Sequence, residues 1–279
     1  MPTHHPPLFQ QALDVLEPLL QKMNHNFSTV PKASQESLQK LLEANLPPSF
    51  SKDFVSKKEI PTPPPESILR DDRVEKLEAL RAEALVCQRC PHLVESRTQV
   101  VFGVGNPYAE LMFVGEAPGE EEDLRGEPFV GKAGALLTKI LLAMDYTREE
   151  IFIANILKCR PNMPAGVSGN RKPKPEEMST CIPWLIKQIE LIKPRVLVAW
   201  GSTAMEGLLG KTMLMREARG NWFDFQNIPL MVTYHPAYLL RNQSLSEKRK
   251  VWEDMLQVLE KLKRPISVKQ REFFLPKKS

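Results

Sequence analysis

Four short apolar runs, each followed by a segment with helical periodicity, constrain the fold of this chain more than any other feature. The runs occupy residues 111–114, 151–153, 196–199 and 230–233, and the helical patterns occupy residues 133–144, 175–192, 202–209 and 246–262. Apolar runs without polar alternation are typical of strands that helices cover on both faces. With right-handed crossovers, the sequence predicts an α/β protein with three α/β/α layers and a central, mainly parallel four-stranded sheet.

Two smaller elements are predicted beside this core. Residues 221–225 have a strand-like pattern before Gln226 and Asn227, which indicates a hairpin that leads into the last strand. An apolar-periodic segment that begins at Asp72 predicts a helix that leads into the first pair of cysteines.

The first 72 residues differ from the rest in composition. They hold 11 of the 25 prolines and no glycine, with the run Pro61-Thr62-Pro63-Pro64-Pro65 near their end. This composition predicts a Pro-rich, partly disordered extension before a domain at residues 73–264 and a basic tail at residues 265–279. Within the extension, residues 8–23 and 34–42 have helical spacing, which suits either docking to a protein partner or transient helices.

Charge and hydropathy limit the kinds of partner that the chain is expected to have. The net charge is +4, and residues 73–279 carry 31 of the 38 basic and 25 of the 34 acidic side chains. A mildly basic domain suits a polyanion, although an ordinary solvated surface explains it equally well. No stretch of about 18 apolar residues occurs, so we expect a cytoplasmic protein without membrane contact.

Polar residues follow each apolar run. The first run leads into Gly115-Glu116-Ala117-Pro118, the second into Asn155, the third into Trp200-Gly201-Ser202 and the fourth into Tyr234-His235-Pro236. Ligands of parallel sheets bind beyond the carboxyl ends of the strands, so one cleft is predicted to collect these residues. Each turn taken alone is more often structural than catalytic.

The chain has four cysteines: Cys87 and Cys90 in a C-x-x-C pair, and the single residues Cys159 and Cys181. In an intracellular protein, four thiolates favour a metal site over disulfides. One close pair with two distant single ligands is compatible with zinc or with a 4Fe-4S cluster, and the spacing does not decide between them. Four unrelated buried cysteines are the remaining alternative.

Six motifs together resemble family 4 uracil-DNA glycosylase, the iron–sulfur type. They are CQRC, GEAPGEEED, GEPFVGKAG, ANILKCRP, GNRKP and YHPAYLLRN, and the resemblance extends from about Val74 to about Lys263. It implies an α/β/α fold, excision of uracil from DNA, and a 4Fe-4S cluster on Cys87, Cys90, Cys159 and Cys181. We expect a monomer that acts on uracil-containing DNA. Residues 161–174 form a longer stretch than is usual in the family, which leaves the role of Asn170 open.

The resemblance and the chemistry together assign a role to each site residue. A base must leave the duplex to be cut, and Phe129 matches the residue that stacks on it. Asn155 presents both an acceptor and a donor, which uracil N3–H and O4 require. His235 is the candidate donor to uracil O2, where negative charge develops. Glu116 and then Glu122 are the candidates for positioning the attacking water, while Ala117 and Asn170 are expected to contact the substrate.

The residues after the His-Pro turn are predicted to contact DNA. Leu239, Leu240 and Arg241 offer apolar bulk and a cation for opening the duplex. Candidates for phosphate contacts, which would position DNA without reading its sequence, are Lys158, Arg160, the pair Lys172 and Lys174, and the basic stretch at residues 269–278.

Two other functions fit an iron–sulfur protein of this superfamily. One is a uracil-DNA binder that traps DNA through a histidine in a loop, but residues 211–219 contain Arg216 and Arg219 and no histidine. That branch also has Glu-Gln-Pro where this chain has Glu116-Ala117-Pro118. The other is an electron-transfer or DNA-sensing protein, which would not need Phe129, Asn155 and His235 around one pocket.

Overall fold

The computed structural model describes residues 71–164, 166–167 and 169–275. The predicted helices at residues 8–23 and 34–42, and the proline run at residues 61–65, lie outside the described residues. No helix in the described ranges is long and apolar enough to cross a membrane.

Helices and strands alternate through most of the described chain. In chain order they are α1 (Arg73–Leu85), α2 (Pro91–Val94), β1 (Val104–Gly105), β2 (Leu111–Gly115), α3 (Glu120–Arg125), α4 (Lys132–Ala143), β3 (Phe152–Asn155), α5 (Pro175–Ile192), β4 (Val196–Trp200), α6 (Ser202–Leu209), α7 (Met215–Ala218), β5 (Trp222–Phe225), β6 (Ile228–Thr233), α8 (Pro236–Arg241), α9 (Leu245–Lys261) and α10 (Val268–Glu272).

The strands form one mixed sheet in the order β1-β3-β2-β4-β6-β5. The four runs predicted from the sequence are its inner strands, and their neighbouring pairs are parallel. The α/β class is confirmed, but the predicted count of four strands is wrong because β1 and β5 add antiparallel edges. β1 has only two residues, which is too short to give an apolar pattern.

The predicted hairpin before the last strand is confirmed. β5 and β6 pair antiparallel, and Phe225 lies opposite Ile228 across a two-residue turn. Gln226 and Asn227 both have positive φ, at 52° and 67°, which is the backbone that a tight hairpin turn of this kind requires.

Helices cover both faces of the sheet. Neighbouring strand residues point to opposite faces, so Leu197 belongs to one apolar core and Val198 to the other. The first core includes side chains of α1, α5 and α6, and the second includes side chains of α4 and α9. The polar loops at the carboxyl ends of the parallel strands therefore rest on a sheet that is packed from both sides.

The chain after α9 docks back onto the domain. Trp252 Nε1 donates to the Gln270 carbonyl at 2.6 Å, and Gln270 Nε2 donates to the Ala143 carbonyl at 2.9 Å. Residues of the predicted basic tail up to position 275 thus include a short helix that is attached to α4 and α9.

Candidate active site

A cleft of about 490 Å³ opens at the carboxyl ends of the parallel strands. The loops after β2, β4 and β6 line it together with residues 170–172. The cleft is lined by five residues of the predicted site: Glu116, Ala117, Asn170, His235 and Arg241. The ends of β2, β4 and β6 therefore meet at one cleft, as the sequence predicts, whereas Asn155 at the end of β3 does not line it.

Asn155 and Phe129 lie beside this cleft and deeper in the protein. Asn155 ends β3 and is 3% exposed, while Phe129 is 6% exposed. Any side chain at Gly115 would collide with both the Asn155 amide oxygen and the Phe129 ring, so glycine permits their close approach. The Phe129 ring stacks on the His235 ring, with 5.5 Å between their centroids. Phe129 is thus connected to the cleft through His235, which lines it. Asn155 lies near the Phe129 ring across Gly115.

The turn that carries Phe129 is strained and is held from both sides. Phe129 has a φ of 55°, a conformation that costs a non-glycine residue about 1–3 kcal/mol. On one side, Arg148 Nη2 donates to the Pro128 carbonyl at 2.8 Å. On the other, Glu122 Oε1 accepts from the Val130 and Gly131 N–H groups, both at 3.0 Å. These bonds stabilise the turn and so fix the direction of the aromatic ring.

Both carboxylate oxygens of Glu122 accept hydrogen bonds from backbone N–H groups of the loop. Besides the two bonds to Oε1, its Oε2 accepts from the Gly119 N–H at 3.1 Å. Glu116, in contrast, lines the cleft. Of the two predicted carboxylates, Glu116 has the position of a group that faces a substrate, and Glu122 has that of a group that organises the loop.

Lys158 supports Asn155 from behind. Its ammonium is 1% exposed and donates to the Asn155 carbonyl at 3.0 Å and to Gln188 Oε1 at 2.6 Å. Burial lowers the pKa of Lys158 to about 7. The prediction that Lys158 contacts phosphate is wrong, because a buried amine cannot reach a DNA backbone.

His235 uses its two ring nitrogens differently. It is the N-cap of α8, and its Nδ1 accepts a hydrogen bond from the Ala237 N–H at 3.1 Å. Burial, reinforced by the positive charge of Arg241, lowers the pKa of His235 to about 4, so the ring is neutral near pH 7. A neutral imidazole whose Nδ1 accepts carries its proton on Nε2. His235 is therefore a neutral donor in the wall of the cleft.

α8 carries the three residues that are predicted to open the duplex, and one of them is buried. Leu240 is 39% exposed, and Arg241 lines the cleft. Leu239 is 4% exposed and belongs to the apolar core between the sheet and α9. A side chain that is packed in the core cannot enter a base stack, so the structure removes Leu239 from the predicted wedge.

The four cysteines line one small cavity, away from the cleft, together with Arg89 and Arg97. Arg97 Nη1 donates to Cys159 Sγ at 3.0 Å, and the Lys158 N–H donates to Cys181 Sγ at 3.2 Å. Burial raises the pKa of Cys181 to about 12 and also raises that of Cys159. Within the described ranges, no three His, Cys, Asp or Glu side chains lie close enough together to hold a single metal ion.

Several charged residues that hold the cleft together have little recognisable signal in the sequence. Arg148 lies in a run of charged residues, where charge alone does not distinguish a buried contact from a solvated surface. Glu177 is buried and binds Arg171 in the cleft wall. Its one recognisable signal is its place three residues after Lys174, the N-cap of α5, where an acid can accept from the N-cap N–H.

The cleft and the residues beside it combine a carboxylate, an amide, an aromatic ring and a neutral N–H donor. An amide with both an acceptor and a donor can read the edge of a flat heterocycle, and an aromatic ring can stack on its face. A neutral imidazole N–H can stabilise negative charge as it develops on a departing group. The arrangement therefore suits binding and release of a nucleobase.

Comparison with known proteins agrees with this chemistry. Residues 102–256 match the Uracil DNA glycosylase superfamily. A type-4 uracil-DNA glycosylase of Thermotoga maritima is 44% identical over 186 residues, which are 66% of this chain and 93% of that protein. A type-4 enzyme of Archaeoglobus fulgidus is 38% identical over 183 residues, which are 63% of this chain and 88% of that protein. A type-5 uracil-DNA glycosylase of Pyrobaculum aerophilum is 27% identical over 186 residues, 55% of this chain and 79% of that protein.

Proposed function

We infer the activity of this protein from its family: the chain belongs to the uracil DNA glycosylase superfamily and, within it, to the type-4 uracil-DNA glycosylases. It is a DNA-repair enzyme that hydrolyses the N-glycosidic bond between uracil and deoxyribose. The products are free uracil and an abasic site in the DNA. The observation in the structure that best supports this activity is His235, a neutral N–H donor in the wall of a cleft beside a buried amide.

Recognition of the base is proposed to fall to Phe129 and Asn155. Flipping a base out of the duplex costs a few kcal/mol, which stacking and hydrogen bonds in a fitted pocket must offset. The ring of Phe129 would cover the face of uracil. The amide of Asn155 would accept from N3–H and donate to O4, whereas cytosine presents the opposite pattern at both positions.

Cleavage of the bond is proposed to depend on His235 and Glu116. As the bond to C1′ breaks, negative charge develops on uracil and positive charge on the sugar. The Nε2–H of His235 would donate to uracil O2 and stabilise the leaving group. Glu116 would orient the attacking water and stabilise the cationic sugar, while Ala117 and Asn170 complete the wall around the base. Glu122 serves this site through the loop that it holds.

Contacts with DNA are proposed at α8. Leu240 is 39% exposed and would fill the space that the flipped nucleotide leaves. Arg241 lies beside it in the cleft wall and would contact a neighbouring phosphate. DNA bound there would present the flipped base to His235.

A 4Fe-4S cluster on Cys87, Cys90, Cys159 and Cys181 is proposed as the resident cofactor. Four thiols around one cavity supply its ligand set, and Arg97 and the Lys158 N–H donate to two of the sulfurs. The spacing of the cysteines is compatible with zinc as well, and the relationship to the type-4 uracil-DNA glycosylases, the iron–sulfur type, favours the 4Fe-4S cluster. The cluster would tie distant segments together and supply no chemistry to bond cleavage.

The domain that carries this activity is proposed to span residues 73–264, with residues 1–72 as an accessory extension. The family match at residues 102–256 falls inside this range. A DNA-repair enzyme acts where DNA is, which supports the expected intracellular location. A uracil-DNA binder that traps its ligand is not favoured, because the relatives are glycosylases and the loop at residues 211–219 has no histidine.

The test is a strand-cleavage assay on an oligonucleotide with a single uracil. Incubation with the full-length protein followed by alkali should break the strand at that position and release free uracil. The control is the same oligonucleotide with thymine, which should remain intact. Intact uracil-containing strands after prolonged incubation with iron-loaded protein would reject the proposal.

A further inference from the structure

Arg171 lies in the cleft wall between Asn170 and Lys172, a position that favours its interpretation as a DNA-binding residue. A cation at that position could contact a phosphate of the bound strand. The contacts of its guanidinium group argue for a different role.

Every N–H group of Arg171 already has a protein acceptor. Its Nε donates to the Asn162 carbonyl at 2.7 Å. Its Nη1 donates to Glu177 Oε2 at 2.9 Å and to the Lys172 carbonyl at 3.1 Å. Its Nη2 donates to Glu177 Oε1 at 2.6 Å and to the Asn162 side chain. A guanidinium has five N–H donors, and these contacts use all five, so none is left for a phosphate.

Glu177, the partner of Arg171, is anchored to the elements that bear the cysteines. It is 2% exposed and lies one helical turn before Cys181 in α5. It also accepts from the Lys174 N–H at 2.7 Å and contacts His92 Nε2 at 2.8 Å. Burial alone would raise the pKa of Glu177, but these hydrogen bonds and the one from Arg171 outweigh burial and lower the pKa to about 2. Glu177 is therefore a charged, buried anchor.

What Arg171 holds is the wall of the cleft. Asn170 precedes it and lies against Gly119, where a side chain would come within 3.0 Å of the Asn170 amide nitrogen. Gly119 follows Pro118, which lines the same cleft. The loop at residues 161–174 has no helix or strand in its described residues, so its attachment depends on such side-chain contacts.

We propose that Arg171 is a positioning residue that does not touch DNA and that holds Asn170 in the wall of the uracil cleft through the bidentate pair with Glu177. The proposal rests on the proposed glycosylase function. It makes the buried carboxylate of α5 the link between the loop that carries Asn170 and the helix that carries Cys181.

The test compares Arg171→Ala, Arg171→Lys and Glu177→Gln with the wild type in the full-length, iron-loaded protein. Arg195→Ala is the matched control, because Arg195 also pairs with a carboxylate, Glu110 at 3.0 Å, but precedes β4 at the opposite end of the strands. Three quantities are measured on each preparation: the single-turnover rate of uracil excision, the salt dependence of binding to undamaged DNA, and the iron content.

Arg171→Ala and Glu177→Gln should lower the single-turnover rate by about tenfold to a hundredfold, since small misplacements of a site residue have effects of that size. Arg171→Lys should not restore the rate, because an ammonium keeps the charge but lacks the fork that binds Glu177. Iron content and the salt dependence of DNA binding should match the wild type. The control should keep its full rate.

A double-mutant cycle asks whether Arg171 acts through Asn170. In an Asn170→Ala background, Arg171→Ala should lower the rate by less than about threefold, because coupled residues are not additive. Equal effects of Arg171→Ala in both backgrounds would overturn the proposal.

Three other results would also overturn it. A wild-type rate in both Arg171→Ala and Glu177→Gln would show that the pair does not position the site. A salt slope that falls by about one, with recovery in Arg171→Lys, would make Arg171 a phosphate contact. Loss of iron in proportion to loss of rate would place its effect at the cysteines. If the wild type itself does not excise uracil, the proposed glycosylase function is rejected. If the wild type is active and the variants excise uracil at the same rate, only the role of Arg171 is rejected.

Discussion

His235 has two roles, as the cap of a helix and as the proposed donor to uracil. A single substitution does not separate these roles, but a comparison of two variants, His235→Ala and His235→Asn, does. Its Nδ1 caps α8 by accepting from the Ala237 N–H, and its Nε2–H is the proposed donor to uracil. Alanine removes both groups. Asparagine places an amide oxygen near the position of Nδ1 and is among the best N-cap residues, but it has no N–H at the position of Nε2.

The two roles differ in their expected magnitudes. Losing an N-cap costs about 0.5–2 kcal/mol of folding free energy, so His235→Ala should unfold at a lower temperature, by about 2–4 °C per kcal/mol in a domain of this size. His235→Asn should keep most of that stability. Losing a donor that acts in the transition state lowers the rate by about a hundredfold to a thousandfold, and this loss should occur in both variants.

The assay is single-turnover excision with enzyme in excess over a uracil-containing oligonucleotide, together with thermal unfolding of the same preparation. Binding to uracil-containing DNA should stay within a few fold of the wild type in both variants, because the donor acts mainly in the transition state. If His235→Asn regains both stability and rate, the histidine only caps the helix. A folded His235→Ala variant with a near wild-type rate would likewise refute its role in cleavage.

Three further predictions concern the cysteines, Asn155 and the protonation of His235. Protein purified without oxygen should be brown and hold about four irons per chain, and Cys181→Ser should lose the iron and unfold more easily; stoichiometric zinc without iron would contradict this. Asn155→Ala should cost about 1–3 kcal/mol of transition-state stabilisation, measured as the ratio of single-turnover rates, and an unchanged rate would show that Asn155 does not read the base. Because the pKa of His235 is lowered to about 4, its titration should not affect the rate between pH 5 and pH 8. Its contribution to stability should fall only as the pH drops from the ordinary pKa of histidine towards 4, where the unfolded chain binds the proton more readily than the folded one. A His235-dependent inflection of the rate near pH 6.5 would contradict the neutral donor.

The sequence predicted the inner sheet because apolar runs report burial on both faces. The four runs became the four inner strands, and the polar residues after three of them, β2, β4 and β6, line one cleft. β1 was missed because two residues give no pattern, and its pairing with β3 depends on neighbours distant in the chain. Local sequence thus predicts the buried inner strands and the edge strand β5, which a tight turn joins to β6, whereas β1 depends on tertiary pairing.

Charged residues were the hardest to interpret from the sequence. Lys158 has the same side chain as a surface lysine, and only the fold shows that its ammonium binds the Asn155 carbonyl inside the protein. Leu239 and Leu240 are neighbours in a helix, but one lies in the core and the other is exposed. Helical periodicity alone could not orient so short a helix, because six residues make fewer than two turns.

Three of the residues proposed to touch uracil share a feature that bears on how the site works: Phe129, Asn155 and His235 are each held by a polar group that contacts the residue or its chain neighbours. Lys158 binds the backbone of Asn155, Glu122 and Arg148 hold the turn of Phe129, and buried Asp254 accepts from Thr233 at 2.6 Å, two residues before His235. Burial raises the pKa of Asp254 to about 7, because the charged form of a carboxyl group is costly to bury.

Such supports make contact and support residues distinguishable by experiment. Removing a group that touches only the transition state should change the rate and leave the folding free energy nearly unchanged. Removing a buried support should change both, because an unpaired polar group remains in the core. Preorganised dipoles stabilise developing charge without reorganising during the reaction, so rigid support is itself part of the catalytic effect. Lys158→Met, which removes the bond to the Asn155 carbonyl but keeps the volume, should therefore lower the rate of uracil excision even though Lys158 lies too deep to touch DNA.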